Sequence, residues 1–168
     1  MKSLLTYNTN RWAKRNRALR TAVDYNHSQK IGLIFTIDDR EKHDIIKNFI
    51  KLLEQDRKKV QVLAFLPEKQ ENHEFLFDYF TKKDVSFWGK YTSELIDRFT
   101  VNEFDYLFHI DFESSNFING ILALTKAKCR IGGVHSDDHN LYEMIVKTPK
   151  NDFQKLVNEM YNYTSILN

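Results

Sequence analysis

Two short acidic stretches hold the residues best suited to chemistry. "FTIDD" closes an apolar run with Asp38 and Asp39, and "HIDFESSNF" closes another with Asp111, followed by Glu113, Ser114, Ser115 and Asn116. Carboxylates gathered at one place supply a general base or ligands for a cation. Ser114, Ser115 and Asn116 at a helix start would present hydroxyls and backbone N–H groups to an anion. The same residue types are also what any helix start needs for its unpaired N–H groups. Asp38, Asp39, Asp111, Ser114, Ser115 and Asn116 therefore stand as candidate ligand-binding residues against the plainer reading of helix capping, and no catalytic residue is assigned.

Three other signals are weaker. "HSDDH" spaces His135 and His139 four apart, which on a helix would turn both imidazoles to one side for zinc. Gly132, Gly133 and Asn140 around it favour a solvated loop, and no third ligand is signalled, so no metal is expected. Cys129 is the only cysteine and lies in "KAKCRIGG", a short apolar strand where a thiol behaves as a small hydrophobe. Neither G-x-G-x-x-G nor a Walker-type lysine occurs, so no nucleotide cofactor is expected.

The charge distribution is uneven. Residues 1 to 30 carry seven cations against Asp24 alone, an excess of six, whereas the whole chain carries +2, so the rest must be net acidic by four. Arg11, Lys14, Arg15, Arg17 and Arg20 occur with no acid between positions 10 and 20. Leu5, Trp12, Leu19 and Val23 would form a narrow apolar stripe on the same predicted helix. Such a helix could lie on the domain with its charges solvated. It could equally neutralise phosphates of RNA, with Trp12 free to stack, or meet an anionic membrane or an acidic protein.

The elements that must position these residues follow from period and length. At 168 residues, 42% apolar and 29% charged, with 13 Phe and 8 Tyr, the chain has the composition of one globular domain. Ile31–Ile37, Val60–Leu66, Phe104–Ile110 and "CRIG" are continuous apolar runs, the form of strands buried on both faces. "YEMIVK" is a further strand. Helical spacing follows Asp39, follows Ser114 to Asn116, and recurs from Phe153 to Tyr161 after a cap at Asn151 or Asp152; Thr92 would cap a shorter helix through Phe99. "HEFLFDYF" fits either state, and "VSFWGK" fits a strand closed by Gly89. Strand and helix in alternation predict an α/β fold, a three-layer Rossmann-like domain with a mainly parallel sheet over 29–168, preceded by a basic N-terminal helical arm over 1–28. In such a sheet the loops after Ile37 and Ile110 would face one crevice.

From Phe104 to Gly132, "FDYLFHIDFESSNFINGILALTKAKCRIG" resembles a segment of heptosyltransferase-type GT-B glycosyltransferases, running from a strand ending in Asp through an apolar helix to an "AK-x-RIG" strand. The resemblance implies kinship with that family's N-terminal, acceptor-side Rossmann-like domain. "FTIDDRE" has no glycine where the family places a Gly-Asp pair, and the chain has no room for the donor-binding domain. The whole chain also resembles a small family of bacterial proteins found mainly in Bacteroidota, a resemblance that brings no function with it.

The N-terminus lacks the apolar core of a signal peptide or a membrane span, so the expected location is the cytoplasm. The expected function is a non-catalytic binding or adaptor module docking through the basic helix, on RNA, a ribonucleoprotein or another protein. The alternative is a glycosyltransferase-related enzyme or small-ligand domain using the strand ends, with a donor site from another chain.

Overall fold

The computed structural model describes residues 2–68, 77–113, 115–133 and 140–166, with the side chains of residues 2 and 3 set aside. "HSDDH", Ser114 and the first half of "HEFLFDYF" lie outside the described residues, and the end of the latter is a strand, Tyr79–Phe80.

The chain opens with helix α1 (Lys2–Asn16) and then alternates strand and helix. β1 (Lys30–Thr36), α2 (Arg40–Gln55) and β2 (Lys59–Phe65) come first. They are followed by β3 (Tyr79–Phe80), α3 (Glu94–Thr100), β4 (Tyr106–His109), α4 (Asn116–Leu124), β5 (Cys129–Gly132), β6 (Met144–Ile145) and α5 (Phe153–Ser165). Among the described residues, six strands pair in parallel, in the order β3-β2-β1-β4-β5-β6. That is the strand order of doubly wound, Rossmann-like sheets, whose ligand crevice lies where the order reverses, here between β1 and β4.

Two apolar layers sandwich the sheet. Ile31, Leu33 and Phe35 of β1 pack with Ile46, Phe49 and Leu53 of α2 and with Leu156, Val157 and Met160 of α5. Ile34, one residue out of phase, joins Leu63 and Leu107 against Ile96 and Phe99 of α3 and Ile118, Ile121 and Leu122 of α4. The period of two within each apolar run explains why the runs are uninterrupted: both faces are covered.

Helix α1 does not stand off the domain; it lies along α4. Its inward residues Leu5, Thr9, Trp12 and Asn16 recur at four, three and four residues, one helical face. The expected stripe through Leu19 and Val23 is not formed, because the α-helix ends at Asn16. Leu19 is 42% exposed, and Val23 packs into the opposite apolar layer. The stop has a cause. The Asn16 amide donates to the carbonyls of Ala123 and Leu124, both 3.0 Å, at the C-terminal end of α4 where carbonyls lack helical partners.

"VSFWGK" is not a strand. Val85 and Tyr91 form a single antiparallel bridge, and residues 86–89 turn between them. The Gly89 N–H donates to the Ser86 carbonyl at 2.9 Å, with Gly89 at φ +68°, a conformation side chains rarely tolerate.

Candidate functional site

At the carboxyl edge of the sheet, a crevice of about 940 Å3 opens between the ends of β1 and β4 and the start of α5. Asp38, Asp39, Asp111 and Ser115 line it, so the two acidic stretches do share one space. Asn116 opens α4 and is not part of that lining.

The crevice is organised by a residue that sequence reasoning passed over. Lys42, 1% exposed, extends its ammonium to Asp111 at 2.5 Å, Asp38 at 2.7 Å and the Thr36 carbonyl at 2.9 Å. Those three bonds use all three of its donors. Its charge also sits 4.3 Å from the centre of the Phe153 ring. Asp111 is equally committed. It accepts from the Thr36 N–H at 2.9 Å, the Thr36 hydroxyl at 3.0 Å and His109 Nε2 at 2.9 Å. His109 Nδ1 meets the Tyr142 hydroxyl at 2.7 Å, so His109 is the hydrogen-bonded core residue its place in a strand suggests. Burial pushes the Asp111 carboxyl upward, but Lys42 and His109 outweigh it and hold the group below the ordinary carboxylate range.

Lys42 is legible in hindsight. It falls four, seven and eleven residues before Ile46, Phe49 and Leu53, on the buried face of α2. A cation on that face must find an anion inside.

Two other acids of the crevice serve helix ends. Asp39 caps α2 by accepting the Lys42 N–H at 2.9 Å, and Asp152 caps α5 through the Lys155 N–H at 2.9 Å. Ser115 occupies the cap position of α4, but its side chain makes no capping bond. Among the described residues, no group of three His, Cys, Asp or Glu side chains is placed to hold a metal ion. Cys129 is buried, and burial, reinforced by Glu143, pushes its thiol up to about 12, which leaves no thiolate at neutral pH.

The basic segment divides differently from its sequence. Arg20 is half-buried and bonded into the fold. It donates to the carbonyls of Ala127 and, at 3.0 Å, of Thr125, while burial and the neighbouring Arg130 lower it to about 10, still cationic at neutral pH. Trp12 is half-buried and stacked on Tyr91, ring centroids 5.8 Å apart, so its ring is engaged within the fold. Arg11, Lys14, Arg15 and Arg17 are exposed, and none makes a salt bridge with a described residue.

A feature the sequence did not reveal lies beside them. Phe87 and Trp88 are 70% and 68% exposed, with ring centroids 5.5 Å apart and edge to face. Their turn is fastened to α1: the Asn8 amide donates to the carbonyls of Trp88 at 3.0 Å and Gly89 at 2.9 Å.

The fold and the crevice together define a Rossmann-like α/β domain, a class that hosts many unrelated activities. Within that class, residues 2–167 match DUF6913, a family of unknown function, and the chain belongs to it. Comparison with curated proteins and with solved structures returned no match. No helix among the described residues is long and apolar enough to cross a membrane.

Proposed function

We propose that this protein is a non-catalytic cytoplasmic binding module that docks on RNA, alone or within a ribonucleoprotein, through the outward face of α1. One observation carries the reading. Four cations of α1 and the turn after it, Arg11, Lys14, Arg15 and Arg17, are exposed, with no salt bridge to a described residue, on a helix fixed against α4. A packed helix holds its charges in a set array, and a polyanion meeting that array releases counterions. Removing the helix is a poor test, since Leu5 and Asn16 are buried parts of the fold. Fluorescence anisotropy with labelled RNA at two salt concentrations, on the full chain and on Arg11→Glu/Lys14→Glu/Arg15→Glu, tests the proposal. Binding by the parent that weakens steeply with salt and is lost in the variant supports it; absence of binding by the parent at low salt refutes it.

The crevice favours a second reading, a small ligand at the strand ends, and the implied glycosyltransferase kinship belongs with it. The supporting observation is its position at the reversal of strand order. Against it stands the commitment of Lys42 and Asp111 to one another, which leaves Glu41, Glu113 and Lys150, and the Asp38 oxygen that Lys42 does not hold, as the charged crevice groups open to a ligand. A thermal-shift series with sugars and nucleotide sugars decides: a rise in Tm that Asp38→Ala/Glu113→Gln abolishes supports this reading, and no rise at millimolar ligand removes it.

A further inference from the structure

We infer that the Phe87–Trp88 turn is a base-stacking platform for a single-stranded polynucleotide whose phosphates run along α1. This inference rests on the RNA-docking reading and adds to it the form of nucleic acid that is recognised.

Leu4, Asn8, Arg11 and Arg15 recur at four, three and four residues, so they share one flank of α1. Asn8 is the residue that holds the turn. The flank carrying Arg11 and Arg15 is therefore the flank against which Phe87 and Trp88 stand, and Lys90, also exposed, follows immediately after the turn. Arg11 and Arg15 are separated by about 6 Å along the helix axis, which suits a cationic track rather than a single anion pocket.

Two large rings side by side leave about two-thirds of their surface to solvent, yet their backbone is secured at several points. The Asn8 amide binds two of its carbonyls, the Ser86 N–H donates to Lys90 at 2.8 Å, and Gly89 approaches α1 so closely that an added Cβ would lie 2.5 Å from the Leu5 nitrogen. A fastened backbone under exposed aromatics lowers the ordering cost of stacking. Aromatic faces beside arginines match unpaired bases on a phosphate backbone. A duplex keeps its bases stacked inside and would engage the cations alone.

The test uses the full chain, a short labelled oligouridylate, the corresponding oligodeoxyuridylate and an RNA duplex of equal length. Phe87→Ala/Trp88→Ala should weaken single-strand binding by about tenfold or more, leave duplex binding and the salt dependence unchanged, and retain the parent's circular dichroism. Trp88→Phe, which keeps an aromatic face, should preserve most of the affinity. The two single strands show whether a 2′-hydroxyl is read. Should the double variant bind the oligouridylate as tightly as the parent, the platform is refuted while the docking face stands. Should the parent bind no RNA, both fall together. Should sedimentation show a dimer of the parent that becomes a monomer in the double variant, the turn is a contact between copies, and the inference is overturned.

Discussion

The crevice at the β1–β4 junction and the outer face of α1 are both rich in charge, and they differ in what those charges touch. In the crevice, Lys42 and Asp111 are almost wholly buried and satisfy one another, with Asp38, Thr36 and His109 using what remains. On α1, Arg11, Lys14 and Arg15 face water and make no salt bridge with a described residue. Residue type alone would rank the acidic crevice as the more chemical of the two. The bonding reverses the order: a charge already consumed by its own fold holds strands together, and a charge left over is available to something else.

The largest effect should come from opening the crevice pair. Lys42→Met leaves Asp111 buried without its main cation and should cost about 3 kcal/mol of unfolding free energy in urea titration. Adding Asp111→Asn should recover much of that loss, because the amide oxygen still accepts from Thr36 and no lone charge remains. A neutral single variant would break the comparison.

Acid probes the same contrast without mutation. Asp111 has its folded value depressed by Lys42 and His109, so its contribution is complete above the unfolded carboxylate value of about 3.9 and disappears as pH falls below that through the folded value. The parent should lose stability below about pH 4 more steeply than Lys42→Met does.

A smaller effect separates two members of the basic segment. Arg20→Ala strands the carbonyls of Thr125 and Ala127 and should cost about 1–2 kcal/mol, whereas Arg17→Ala should stay within about 0.5 kcal/mol. Equal costs would erase the division of the segment into interior and exterior arginines. Least of all should Arg11→Glu/Arg15→Glu change stability, with a melting temperature within a degree or two of the parent, while RNA binding is lost.

The strands were legible because parallel strands covered on both faces must be apolar at consecutive positions, and the runs at Ile31, Val60, Phe104 and Cys129 are. The shared position of Asp38 and Asp111 followed from the same topology. What escaped reading depends on contacts across long sequence distances. Lys42 looks like a solvated lysine in "DDREKH" until the fold brings Asp111 to it from 69 residues away. Arg20 looks like one of five equivalent cations until the turns beyond α4 and before β5 offer it carbonyls. Phe87 and Trp88 look like strand residues, since aromatics favour strands, and only the left-handed Gly89 and its fit against α1 turn them outward.

The bonds from Asn16 to Ala123 and Leu124 also set an order of events during synthesis. Helix α1 is secured by residues made more than a hundred positions after it. At typical elongation rates that interval is on the order of ten seconds, during which α1 lacks its α4 partner and has only Gly89 and Tyr91, once they are made, to set against Leu5 and Trp12. Docking of α1 is thus a late step, of high contact order, taken after the β1–β2 half of the sheet has been made. A nascent chain paused before residue 123 should expose α1 to protease; one paused well after it should not.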